Sequence, residues 1–380
     1  MNSAIKILLY PISIIYGLII FLRNRLYDWK FLKENYFDIH TIGVGNLSVG
    51  GAGKTPLVEY LIRLLLKEDS RIATLSRGYK RKTKGFVLAT DSSTALEIGD
   101  EPLLYKSKYP VQVAVDNNRV SGIKKLIALE KKSPRYILLD DVFQHRAIKC
   151  GLTIVVSDFN NLYFNDMMLP SGTLREYKSE IIRADIIIIS KIPDKITAIE
   201  LRNLLKDVNP KAYQQVFFSY LKYGELYSIS NSTEKIDTLN DLYRFRIICF
   251  SGIANSSLMV NYLKEYSAEV RHLNFSDHHE YSIKDLEDIA LNRKSKYCLF
   301  SVNKFEEQFQ LNIDYRIISN DVLSVINNFK LYNNSKTNLF YSDSVDCTNR
   351  FVANKLLKIP YLTFDQRHFK NVKCDPVANC

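Results

Sequence analysis

The segment Gly45 to Thr55, G-N-L-S-V-G-G-A-G-K-T, constrains this chain more than any other. Before it, His40 to Val44 (HTIGV) reads as the end of a short buried strand; after it, Pro56 to Lys67 (PLVEYLIRLLLK) reads as an amphipathic helix. A strand, a glycine-rich turn and a helix opening on Lys-Thr form the context of a phosphate-binding loop, the P-loop. Glycine tolerates the dihedral angles of such a wrap, so the backbone N–H groups of Gly50, Gly51, Ala52, Gly53 and Lys54 can surround a β-phosphate. Lys54 is expected to meet the β/γ oxygens and the Thr55 hydroxyl to coordinate Mg²⁺, with the helix N-terminus adding partial positive charge. Ser48 and Val49 complete the expected ATP-binding stretch. The general pattern G-x-x-x-x-G-K-[ST] has Gly where Ser48 stands.

A second acidic signal follows about 85 residues later, in Y-I-L-L-D-D-V-F-Q-H, Tyr136 to His145. A buried parallel strand ending in carboxylates is the Walker B arrangement, which places Asp140 or Asp141 near the Mg²⁺. Further apolar runs at Leu152 to Ser157, Ala184 to Ser190, Arg246 to Ser251 and Tyr297 to Val302 read as buried strands with helical stretches between several of them. The fold expected is α/β: a P-loop NTPase-like parallel sheet with flanking helices, plus a second, smaller α/β lobe.

At 380 residues, with 46% hydrophobic and 24% charged, the chain is neither disordered, collagen-like nor a multi-span membrane protein. Its six cysteines form no C-x-x-C pair and no zinc ladder, so they read as small hydrophobes in a reducing compartment. A net charge of +11 favours anionic partners. Ile7 to Leu22 carries no charge, and Arg23, Arg25, Lys30 and Lys33 follow it. As one helix this run rises roughly 24 Å, short of a hydrocarbon core. Pro11 is expected to interrupt it or to start its main helical part. Arg-Asn-Arg after the apolar run does not suit signal-peptide cleavage. A short span, a buried core helix and an element dipped into one leaflet compete, and the cations fit the last best.

The sequence resembles the tetraacyldisaccharide 4′-kinase family of Gram-negative lipid A synthesis. The resemblance rests on G-N-L-S-V-G-G-A-G-K-T-P (Gly45 to Pro56), L-S-R-G-Y (Leu75 to Tyr79), G-D-E-P-L-L (Gly99 to Leu104) and L-D-D-V-F-Q-H (Leu139 to His145), continued by L-P-S-G-T-L-R-E (Leu169 to Glu176), S-G-I-A-N (Ser251 to Asn255) and F-S-D-H-H (Phe275 to His279). It implies transfer of the γ-phosphate of ATP to the 4′-hydroxyl of a tetraacyl glucosamine disaccharide 1-phosphate, giving lipid IVA. The implied enzyme is monotopic on the cytoplasmic face of the inner membrane, and no nucleic-acid partner is expected. A sugar hydroxyl needs a proton acceptor, and by resemblance Asp100 is that base, with His278 assisting it. Glu101 is implied as a metal-proximal carboxylate, sharing Mg²⁺ with Thr55, Asp140 and Asp141. Arg77, Arg119 and Arg175 suit phosphate oxygens, and Tyr79 and Gln144 are expected sugar contacts.

The expected organisation is a membrane-associating segment at 1–33, a P-loop kinase lobe at 34–212, a strand linker at 213–244, a smaller lobe at 245–330 and an extension of unassigned role at 331–380. Val142, Ser171, Thr173 and S-V-N-K-F (Ser301 to Phe305) depart from the family's usual residues. The competing function is a membrane-associated P-loop ATPase acting as a protein switch. Partitioning ATPases carry a signature Lys where this chain has Val49, which disfavours that subgroup.

Overall fold

The computed structural model describes residues 3–317, apart from 69–70, 130–131, 194, 228–238, 245, 254, 277–278, 280–281, 283, 286–296 and 303–309. His278 and the extension at 331–380 therefore lie outside the described residues. The first half alternates strands and helices: β1 (His40–Gly45), α2 (Lys54–Leu66), β2 (Ile72–Ser76), β3 (Val87–Leu88), α3 (Ala95–Ile98), α4 (Asp100–Lys108), β4 (Gln112–Val115), α5 (Arg119–Ile127), β5 (Tyr136–Asp140), β6 (Leu152–Asp158), β7 (Ile186–Ser190) and α6 (Ala198–Val208), with α1 (Ser3–Asp28) ahead of them. The β5 run YILLD and the β7 run IIIIS are buried at every residue. Continuous apolar strands of this kind need cover on both faces, which helices of a parallel sheet supply. The order β7-β6-β1-β5-β2-β4-β3 is parallel except for the short edge strand β3, which pairs antiparallel with β4.

Strand β1 lies in the middle of this sheet, with β5 and β6 on either side. The register Val44↔Asp140 brings the end of β5 beside the start of the P-loop. Ligands of open parallel sheets bind beyond the carboxyl ends of the strands, and both motifs are delivered there by strand pairing alone.

The chain then leaves the first half through β8 (Gln215–Tyr227), followed by β9 (Arg246–Ser251), α7 (Ser257–Tyr266), β10 (Val270–Asn274), β11 (Tyr297–Val302) and β12 (Gln310–Ile317). The start of β8 pairs parallel with β7, up to Phe218, while Ser219 to Tyr227 pair antiparallel with β12. Because β9, β10 and β11 run parallel to β12, the strands of the second half point back at the first. The carboxyl ends of the two sets face each other along the β8–β12 ribbon, and from Phe218 to Tyr227 that ribbon is roughly 30 Å long. A small core of Leu242, Ile247, Cys249, Met259 and Leu263 supports the second set. Burial pushes the thiols of Cys150 and Cys249 up to about 12, which makes both packing residues rather than nucleophiles.

Helix α1 spans 26 residues and runs through Pro11, which neither interrupts nor starts it. One side docks on the first half along its whole length. Ser171 Oγ donates to Lys6 O and Ser171 N–H to Ser13 Oγ, both at 2.9 Å; Tyr16 Oη donates to Arg175 O at 3.0 Å. Further on, Arg23 donates to Gln144 O, Arg146 donates to Asn24 O at 2.9 Å, and Arg146 also pairs with Asp28 at 2.9 Å. The docked side mixes Ser13, Gly17 and Asn24 with Tyr16 and Ile20, which pack on the core, and the other side is apolar and bare: Ile7, Leu8, Ile15 and Ile19 are 60–77% exposed. A buried core helix would show the reverse. A Cβ at Gly17 would meet the Tyr177 hydroxyl and lie 2.9 Å from its Cζ. Gly17→Leu is expected to lift α1 from the lobe at a cost of about 1–3 kcal/mol, read as a lowered Tm and faster proteolysis between Arg23 and Lys33, with Ile14→Leu as the silent control.

Candidate active site

The P-loop leaves β1 at Gly45 and reaches α2 through Gly50 (φ 104°) and Gly53 (φ 92°), two left-handed positions that favour glycine. Its outer strand is strapped to the segment Thr173 to Arg175: Val49 N–H donates to Thr173 O at 2.8 Å and Arg175 N–H to Leu47 O at 2.7 Å. That strap brings the Arg175 side chain to the loop. Its guanidinium forks onto Asp141, with Nη2–Oδ1 at 2.8 Å and Nη1–Oδ2 at 3.0 Å, and also reaches Asn46 Oδ1. Lys54 Nζ lies 3.0 Å from Asn46 Oδ1 and 3.5 Å from Asp141 Oδ1. Two cations thus share one carboxylate and one amide oxygen at the start of α2.

The two aspartates at the end of β5 have opposite electrostatics. Burial lifts Asp140 to about 6, against the pull of Lys54 and with Asp141 and Glu101 adding to the rise; Tyr105 Oη donates to its Oδ2 at 3.0 Å. For Asp141 burial acts in the same upward direction, but the Arg175 fork and the charges of Lys54 and Arg119 outweigh it and hold the carboxyl well below its ordinary value. Arg119, 6% exposed at the start of α5, is lowered by burial, with Asp141 and Asp140 drawing it back up. His145 is lowered by burial and by Arg119, Arg23 and Arg77, so it is neutral at pH 7. Lys54, Arg77, Arg119 and Arg175 thus act together on Asp140, Asp141 and His145, a concentration of cations that suits a polyanion.

Residues 5–304 match the family model described as tetraacyldisaccharide-1-P 4′-kinase. The chain belongs to this family. It is 43% identical over 289 residues to the tetraacyldisaccharide 4′-kinase of Bacteroides thetaiotaomicron, covering 74% of this chain and 76% of that one. It is 45% identical over 291 residues to the Flavobacterium johnsoniae protein of the same name, covering 76% and 83%. Among solved structures, LpxK from Aquifex aeolicus in complex with ATP superposes with a TM-score of 0.66 at 30% identity, covering 86% of this chain and 99% of that one.

Of the site residues expected in this kinase-family chain, the structure gathers Lys54, Asp140, Asp141, Arg119 and Arg175 around the P-loop residues Ser48 to Thr55. Asp100 and Glu101 open α4 after Gly99, where a Cβ would come within 3.0 Å of the Gly78 backbone. That close approach seats Gly99-Asp100 against the Arg77-Gly78-Tyr79 turn. Glu101 is near enough to act on Asp140, yet among the described residues no three His, Cys, Asp or Glu side chains converge as a metal cage. Both oxygens of Asp141 are engaged by Arg175. Gln144, expected on the sugar, turns instead to the loop: its Nε2 donates to Asn46 O at 2.8 Å. Tyr79 is 59% exposed, with Lys80 over its ring.

Sequence reasoning missed Asn46, Tyr105, Arg23 and Glu176. Asn46 is the hub that holds Lys54, Arg175 and Gln144, and it lies inside the glycine-rich motif. Tyr105 reaches Asp140 from α4, which packs beside β4, and no spacing announces that contact. Because the folded pKa of Asp140 is raised, its favourable contribution is full below about pH 4 and is lost as pH rises through about 6. Asp140→Asn is therefore expected to be more stable than the parent at pH 7, by roughly 2 kcal/mol, and to flatten the pH dependence of Tm between those limits. Identical Tm profiles for the two proteins would refute this assignment.

Proposed function

We propose that this chain transfers the γ-phosphate of ATP to the 4′-hydroxyl of a tetraacyl glucosamine disaccharide 1-phosphate, giving ADP and lipid IVA. The observation that carries the reading is the P-loop lysine held with Arg175 over the Walker B aspartates in a chain of this family. The hydroxyl oxygen forms the new bond to phosphorus as the bond to the β-phosphate oxygen breaks, and the hydroxyl proton passes to Asp100, with His278 as its assistant. Lys54, Arg175 and Arg119 offset the charge that spreads over the transferring group. Arg77 and Tyr79, on the turn packed against Gly99, are the candidates for the 1-phosphate and the sugar.

The donor set suits Mg²⁺, which takes hard oxygen ligands and keeps several waters. Thr55 lies in the first turn of α2, and Asp140 is a buried carboxylate that a cation would hold ionised. These two would hold the metal, and Glu101 and Asp141 would act from further out. Held there, Mg²⁺ would supply positive charge to offset that of the phosphate oxygens. The parts from 34 to 212 and from 245 to 330 act as two lobes joined by the linker at 213–244, and closure of their facing edges would exclude water.

Helix α1 is long and apolar enough to cross a bilayer, but its contacts from Lys6 to Asp28 occupy roughly 33 Å of helix. A span would drag Ser171, Glu176 and Arg146 into hydrocarbon. We read α1 as lying in the plane of the cytoplasmic leaflet, where ATP is available, with its bare face in lipid. The double variant Ile15→Asp/Ile19→Asp is expected to abolish flotation with anionic vesicles while leaving Tm within a few degrees of the parent.

The direct test is incubation with γ-labelled ATP, Mg²⁺ and the tetraacyl disaccharide 1-phosphate in detergent. Labelled lipid is the expected product. Label released only as free phosphate, equally with and without lipid, would favour the switch ATPase instead. Asp100→Ala is expected to lower kcat by about 10²–10⁴-fold with little change in the KM for ATP.

A further inference from the structure

We propose that Lys191, with its neighbour Ser190, is a positioning residue that presets the phosphate loop by pinning two of its carbonyls. The proposal rests on the reading of this loop as the nucleotide site. Strand β7 ends on Ser190, which pairs with Asp158 at the end of β6. Ser190 Oγ donates to Ala52 O at 2.7 Å. Lys191 adopts φ 59°, a left-handed conformation that an ordinary side chain avoids. The turn sends its ammonium into the site, where it donates to Gly51 O and to Asp158 Oδ2, the latter at 2.6 Å. Both charged side chains are largely covered, 12% and 15% exposed.

A trans peptide points its C=O and N–H in opposite directions. With the oxygens of Gly51 and Ala52 held by β7, the N–H groups of Ala52 and Gly53 are turned to the other side of the loop. Ala52 N–H closes there on Gly50 O at 3.0 Å, a local three-residue turn that a phosphate oxygen can displace. An anion-binding nest needs successive N–H groups converging on one point, and a glycine-rich loop will not hold them so by itself, because glycine loses the most freedom on ordering. The dipeptide at the end of β7 removes that freedom before the nucleotide arrives. Asp158 fixes the ammonium, so the loop gains an oriented donor without an unpaired buried charge. Neither residue need touch the nucleotide.

The test is calorimetric titration of the full chain and its variants Lys191→Met, Lys191→Gly and Lys191→Arg with ADP and with AMP. Glycine relieves the left-handed backbone, so Lys191→Gly keeps its fold while losing the donor. Methionine and glycine variants are expected to bind ADP roughly tenfold to a hundredfold more weakly, the worth of a hydrogen bond from a charged group. AMP, which lacks the β-phosphate, should bind as in the parent, and arginine should restore part of the ADP affinity. ADP binding within threefold of the parent in a folded Lys191→Gly would overturn the proposal. An equal loss for AMP would also overturn it, by assigning Lys191 to the nucleoside. Failure of the parent itself to bind ADP would overturn the nucleotide reading and this proposal with it.

Discussion

The carboxylate of Asp141 takes the Arg175 fork through both oxygens and lies 3.5 Å from the Lys54 ammonium. It does so from a left-handed backbone, φ 51°, a conformation aspartate tolerates better than most residues. Three stretches of chain meet in this contact: the start of α2, the end of β5 and the strap at Thr173 to Arg175. Without the anion, two cations would face each other across a small gap, with Arg119 within electrostatic reach. Like charges a few ångströms apart repel by several kcal/mol in a partly screened site, enough to push Lys54 or Arg175 out of the loop. Asp141 therefore holds the cations close enough to receive a polyphosphate while leaving the pair with a net positive charge.

The same strap carries the connection to α1. Arg175 gives its N–H to Leu47 of the P-loop and takes the Tyr16 hydroxyl of α1 on its carbonyl. Its neighbour Glu176 is fully buried, faces Arg23 of α1 at 4.0 Å and pairs with Arg183. Burial raises the Glu176 carboxyl, and the arginines, Arg183 foremost, oppose that rise. A buried carboxylate between two cations resists displacement, because moving either partner leaves a charge uncompensated. Helix, strap and phosphate loop are thus coupled by short-range polar contacts together with a shared apolar cluster, in which Tyr16 and Ile20 of α1 pack beside Leu47 and Leu174. These contacts leave the bare apolar side of α1 free.

The fold was legible where one physical rule governed a segment. Buried parallel strands need unbroken apolar runs, and β9 and β11 begin and end at the residues such runs mark, Arg246 to Ser251 and Tyr297 to Val302. The P-loop was legible because its glycines and Lys-Thr answer to the geometry of one ligand. Helix α1 was legible in its apolar run but not in its extent. Pro11 is tolerated inside it, and its docked side, spaced Ser13, Gly17 and Asn24, acquires meaning only against Ser171, Tyr177 and Arg146. The site's hubs were hidden for the same reason. Asn46 and Tyr105 act through residues brought near by sheet order and helix placement, and local spacing does not encode which strand lies beside which. His145 stood in a motif, yet only the fold reveals that burial, and after it the charges of Arg119, Arg23 and Arg77, lower its pKa.

The sheet explains how a water-soluble nucleotide and an acylated acceptor can share one centre. A single parallel sheet offers one carboxyl edge, and helices and loops on one side close over it. Here β8 outruns β7 and β12 turns back along the excess, so a second carboxyl edge faces the first across the length of the ribbon. In the proposed membrane arrangement, helix α1 sets the height of the acceptor. The strap contacts α1 on one side and the P-loop on the other, so one helix diameter of about 10 Å and one strand spacing of about 5 Å separate the bare apolar face from the phosphate loop. In the proposed arrangement the headgroup is phosphorylated at the lipid surface, and the acyl chains never have to enter the protein.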